Sequence, residues 1–94
     1  GDEMVTSNTF KLYQNRPNPF KKVTNIGFSL PETEVAKLTI YDVSGTVLKT
    51  FEQVFQQGYN EVRIERNELP AGGVLFYKLE TAGHRATRKM ILLN

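Results

Sequence analysis

Ninety-four residues, 39% of them apolar and 23% charged, suffice for one globular domain with a single core and are too few for two. The absence of cysteine excludes disulfides, thiol nucleophiles and Cys-type zinc sites, and a net charge of +2 with no basic arm or acidic tail argues against nucleic acid as a partner. The longest apolar runs, 74–77 and 90–93, fall far short of the roughly 20 residues a membrane-spanning helix needs.

Residues 1–9 are polar, small and aperiodic, which predicts a linker, with the domain proper over 10–94. Gly1-Asp2-Glu3-Met4 does not open a signal peptide, so any export signal is expected upstream of this piece. From Phe10 onward, turn chemistry recurs at Pro17-Asn18-Pro19, Pro31-Glu32, Ser44-Gly45, Gly58, Pro70-Ala71-Gly72-Gly73 and Ala82-Gly83. The short segments between these breaks, rich in β-branched and aromatic residues, predict an all-β protein.

The first prolines hold φ near about −65° and set the position of Phe20, a structural role before a recognition role. Ile26, Phe28 and Leu30 share one strand face, Ala36, Leu38 and Ile40 another, and Val62 and Ile64 a third. Each face needs an apolar partner, which points to two packed sheets. Asp42-Val43-Ser44-Gly45 is hairpin chemistry, with Gly45 free to take a positive φ. Residues 46–57 are ambiguous: Val47, Leu48, Phe51, Val54 and Phe55 also have the spacing of an amphipathic helix ending at Gly58. In 74–80 and 84–93 apolar residues fall on both faces, as in a central strand or an edge awaiting a partner.

No catalytic constellation is found. His84, the single histidine, follows a turn glycine and reads as a loop residue, and the carboxylates are scattered among cations. No metal-ligand spacing or phosphate-cradling glycine loop occurs, so neither metal nor cofactor is expected. Two basic clusters, Arg16, Lys21 and Lys22, then Arg85, Arg88 and Lys89, can guard an edge strand or meet an anionic surface. Tyr13, Tyr41, Tyr59 and Tyr77 pack a core or, alternatively, form a platform for sugars.

Five stretches in order, residues 12–20, 24–31, 38–45, 69–79 and 88–93, together resemble the type A C-terminal sorting domains of the type IX secretion system. The resemblance implies an immunoglobulin-like antiparallel sandwich of about seven strands, and it favours a strand over 46–57. It further implies a secretion signal at the end of a cargo protein, crossing the periplasm in transit to the outer membrane, cell surface or exterior of a Gram-negative bacterium. The implied partners are the type IX translocon with its outer-membrane shuttle protein and a sortase-like surface protease. Released cargo is freed or joined to anionic lipopolysaccharide. The alternative is an immunoglobulin-like accessory module, carbohydrate-binding or spacing, of a secreted surface enzyme.

For partner recognition, the closing strand is the natural candidate: Lys89 beside Met90, Ile91, Leu92 and Leu93, with Gly73 and Tyr77 shaping its neighbour. Core formation competes with that role for the same residues. An accessible cleavage region is expected over Met4, Val5, Thr6, Ser7, Asn8 and Thr9, just before the fold. Edge-strand self-association is a further expectation.

Overall fold

The computed structural model describes residues 9–70 and 72–94. Its strands are β1 (Lys11–Leu12), β2 (Val23–Leu30), β3 (Glu34–Asp42), β4 (Val47–Phe55), β5 (Gly58–Glu65), β6 (Gly73–Glu80) and β7 (Arg85–Leu92), with one 3-10 turn at Arg66–Glu68. They form two antiparallel sheets, one ordered β1-β2-β5 and the other β4-β3-β6-β7, in an all-β, immunoglobulin-like sandwich.

The alternating faces meet as their periodicity requires. Ile26, Phe28, Leu30 and Ile64 of the smaller sheet, and Ala36, Leu38 and Ile40 of the larger, are fully buried in one cluster. The ring of Phe28 meets that of Phe55 edge-on at 5.0 Å, tying the two sheets together. In β6 the competition between faces resolves cleanly. Leu75, Tyr77 and Leu79 point inward, whereas Phe76 stacks on Tyr41 with the ring centres 5.8 Å apart. β6 is a central strand and β7 an edge.

The helix-like segment is strand β4. Its pairing with β3 slips between Ile40 and Tyr41, which pair with Lys49 and Val47 and leave Leu48 as the extra residue of a bulge. Phe51 and Phe55, four apart and therefore on one strand face, turn toward the core, and the bulge lets Leu48 join them. Val47 and Val54 are left exposed on the other side. The 3.6-residue spacing thus arises from a bulged edge strand. Gly45 holds φ at 89° in the β3–β4 turn, where the Asp42 carboxylate accepts hydrogen bonds from the amides of Ser44 and Thr46. The Ser44 hydroxyl, then these amides, hold the Asp42 carboxyl below its ordinary pKa.

Candidate functional site where the first and last segments meet

Between β1 and β2 the chain stays bonded to β2 as far as Arg16 and then crosses to the outer edge of β7. Arg16 exchanges backbone hydrogen bonds with Asn25, at 2.9 and 2.8 Å. Four residues later, the Phe20 amide donates to the Ile91 carbonyl at 3.0 Å and the Leu93 amide donates to the Phe20 carbonyl at 2.8 Å. This is one rung of a parallel ladder, centred on Leu92. Between these points, the side chain of Asn18 accepts from the Ile91 amide at 2.9 Å. Gln14 donates to the Lys89 carbonyl at 2.7 Å. Phe20 is buried beneath the crossing, 1% exposed.

A polar spine supports this crossing from inside. The Tyr77 hydroxyl donates to the Tyr13 carbonyl at 2.7 Å and accepts from the Asn15 amide at 2.9 Å. The buried Asn15 side chain donates to Thr24 at 3.0 Å and to the Pro17 carbonyl at 3.2 Å, and the Thr24 hydroxyl donates to that same carbonyl at 2.8 Å. Pairing buried polar atoms in this way offsets a desolvation cost of about 1–3 kcal/mol for each unpaired group. Burial pushes the Tyr77 hydroxyl up to about 12, because its anion would have to form away from water.

The end of the chain is held separately. Arg66 donates to the Leu93 carbonyl at 2.9 Å. At Gly72 a Cβ would come within 2.5 Å of the Asn94 side-chain oxygen and 3.0 Å of the Leu92 carbonyl. Gly73 adopts φ of 107° and pairs with Leu92 at the start of β6.

The structure brings Asn18 and Phe20 against Ile91, Leu92 and Leu93, turns the Pro17 carbonyl to Asn15 and Thr24, and separates the roles within the closing strand. Tyr77, Met90 and Leu92 lie in the core, so their side chains meet no partner of the folded domain. Lys89 and Leu93 are exposed and Ile91 is half-buried. Gly45 sits apart in the β3–β4 turn, and Met4 to Asn8 of the expected cleavage region lie outside the described residues. Sequence reasoning overlooked Gln14, Asn15, Thr24 and Arg66. Thr24 carried a signal, since extending the Ile26, Phe28, Leu30 alternation back by two places puts it inside, where a hydroxyl needs a partner.

The members of each basic cluster have different surroundings: Lys22 lines a cleft beside Arg66 and Leu69 that Arg16 does not share, and Arg88 alone of its cluster turns to the Leu12 carbonyl. Arg16 lines a cleft of about 360 Å³ on the smaller sheet, with Tyr13, Asn25, Tyr59 and Glu61 among its other walls, whereas Arg88 donates to the Leu12 carbonyl at 2.7 Å across the seam between sheets. Tyr13 and Tyr59 meet edge-on at 5.7 Å in that cleft. His84 lies beyond β6, stacked on Phe10 with ring centres 5.0 Å apart.

Two antiparallel sheets closed along one edge by the segment between their first two strands define an immunoglobulin-like module. The chain belongs to the secretion system C-terminal sorting domain family of type IX secretion, whose model matches residues 12–93. Among solved structures the fold is similar to part of PorZ, described as an essential bacterial surface component of the type IX secretion system of Porphyromonas gingivalis. The TM-score is 0.61 and the identity 16%, and the likeness covers 88% of this chain and 11% of that one. No curated protein matches the sequence. A sorting signal of this class directs export to the outer membrane, the cell surface or the extracellular space, and its family is not an enzyme family.

Proposed function

We propose that residues 10–94 are the folded address of an exported cargo protein, read in the periplasm by the type IX translocon and its outer-membrane shuttle protein. A sortase-like surface protease then cuts within residues 4–9, and the cargo is freed or joined to anionic lipopolysaccharide. The observation that carries this reading is the corner described above. The two ends of the family match, 12–20 and 88–93, interlock there through main-chain bonds, so the address exists only in the folded domain. Gly73, Lys89, Ile91 and Leu93 form its outward part, and Tyr77, Met90 and Leu92 hold its shape.

The test fuses residues 10–94 to a reporter carrying a signal peptide, in a bacterium with the secretion machinery. Removing residues 88–94 is expected to trap the reporter in the periplasm; a reporter that still reaches the surface would contradict the reading. Cleavage is checked by sequencing the N-terminus of the domain released from the natural junction, and a cut beyond Tyr13 would remove that part of the proposal.

The cleft lined by Tyr13, Arg16, Asn25, Tyr59 and Glu61 favours a second reading, a carbohydrate-binding accessory module. Calorimetric titration with surface oligosaccharides decides it: binding abolished by Tyr59→Ala supports this reading, and no binding to the unaltered domain dismisses it.

A further inference from the structure

On β7, the residues whose backbone groups face away from β6 are identified by their bonds to the preceding segment: the Lys89 carbonyl, both groups of Ile91 and the Leu93 amide. In an antiparallel strand alternate residues direct both groups to the same side, so the Lys89 amide and both groups of Thr87 face that edge too. They have no hydrogen-bond partner among the described residues. The segment 14–20 thus covers the edge over 89–93 and leaves its backbone groups unpaired over 85–89, where β1 passes beside β7 and is joined to it through the Arg88 side chain at the Leu12 carbonyl. Arg85, Thr87 and Lys89 are exposed there, and neither Arg85 nor Lys89 forms an ion pair with a described carboxylate. Opposite Arg85 in the register stands Glu80, which is bonded instead to Lys78 at 3.7 Å.

We propose that this half-open edge accepts an extended acidic strand of a partner protein, with two carboxylates four residues apart on one face, set opposite Arg85 and Lys89. This inference rests on the sorting reading and names the chemistry its partner would need. Backbone bonds from Thr87 and Lys89 supply affinity and the two cations supply selection. A second copy of the chain is disfavoured by the same residues. Antiparallel self-pairing about Thr87 sets Arg85 against Lys89 twice, and like charges directly opposite destabilise a ladder. The edge is therefore closed to its own kind and open to an acidic strand.

The probe is an acetylated, amidated heptapeptide Val-Glu-Val-Thr-Val-Glu-Val, titrated at low salt into the whole chain while backbone amides are followed by NMR. Shifts and slowed exchange at Thr87 and Lys89 are expected, with none along β4, and the same peptide with lysine in place of glutamate is expected to bind about five- to tenfold more weakly. Charge reversal of the domain, R85E with K89E, should exchange that preference. Equal response to both peptides, or response centred on β4, overturns the proposal. Thr87→Pro removes an edge amide that β6 does not use and should abolish binding with the sheet intact; if that variant does not fold, the charge reversal decides alone. In the reporter assay, trapping on deletion of 88–94 together with normal export of both Thr87→Pro and the reversed variant would overturn the edge proposal alone. Export of the deleted form would instead overturn the sorting reading.

Discussion

The two edges of the four-stranded sheet are finished by opposite means. At β7, a segment from more than 70 positions earlier lies along the strand and supplies both main-chain and side-chain partners. At β4, protection is local: a bulge breaks the regularity, and Lys49 points inward to reach Glu68 at 3.4 Å, both devices that discourage further pairing. The difference teaches that one edge is sealed by its own sequence, whereas the other is only as good as a non-local contact. Changes to the contact should therefore be felt by the whole fold, and changes along β4 should not.

The largest break in that contrast is Phe20→Ala. It empties a fully enclosed site under the crossing segment, so a loss of about 3–5 kcal/mol in urea unfolding is expected. Val54→Ala on the other edge, where the side chain is 61% exposed, should stay within about 0.5 kcal/mol. Comparable losses at the two positions would mean that the crossing segment does not seal the sandwich.

Tyr77→Phe comes next. The ring stays, but the Asn15 amide and the Tyr13 carbonyl lose their partner, costing about 1–3 kcal/mol. The same hydroxyl gives a pH signature. Its folded value of about 12 exceeds the ordinary tyrosine value of 10.0, so the neutral form is favoured in the fold. That contribution is complete below the unfolded value and is lost as pH rises from 10.0 towards about 12. Unfolding followed across that window should show a decline in stability that Tyr77→Phe lacks, after allowance for the exposed tyrosines.

These residues also mark how far the sequence could be read. Ile26, Phe28, Leu30, Ala36, Leu38 and Ile40 were legible because period-two alternation is local, and a face built that way has one place to go. β4 was illegible by pattern, because a bulge moves Leu48 to the side of Phe51 and Phe55 and so imitates a helical stripe. The corner where the first and last segments meet was half legible. Phe20 and the strand after Arg88 could be singled out, but the bond from Asn18 to Ile91 joins a side chain to a main-chain amide 73 positions away. No local pattern carries such a contact. Nor does composition say which of Met90 and Ile91 turns inward, since both are apolar; the register with Leu75 and Val74 decides it.

Gly45→Ala sharpens the comparison from the β4 side. The position holds a φ of 89° and leads into β4, so a side chain there should cost about 1–2 kcal/mol. Its added Cβ would meet nothing within 4 Å, which makes the penalty one of backbone conformation alone. Amide exchange should quicken in β4 and remain slow at Ile91 and Leu93. Spread of the effect to β7 would show that the two edges are coupled.

Asn18→Ala is the mildest change and the most local. It removes the acceptor for the Ile91 amide and leaves the Phe20 rung in place. Because Asn18 is exposed, water can take over the vacated position, and the cost should be about 0.5–1 kcal/mol. Hydrogen exchange at Ile91 is expected to rise while Leu93, bonded to the Phe20 carbonyl, keeps its protection. If both amides open together, the segment 18–20 leaves the edge as one unit and the side-chain bond is what keeps it docked. If Ile91 opens alone, the main-chain rung and the buried Phe20 ring hold the crossing segment in place.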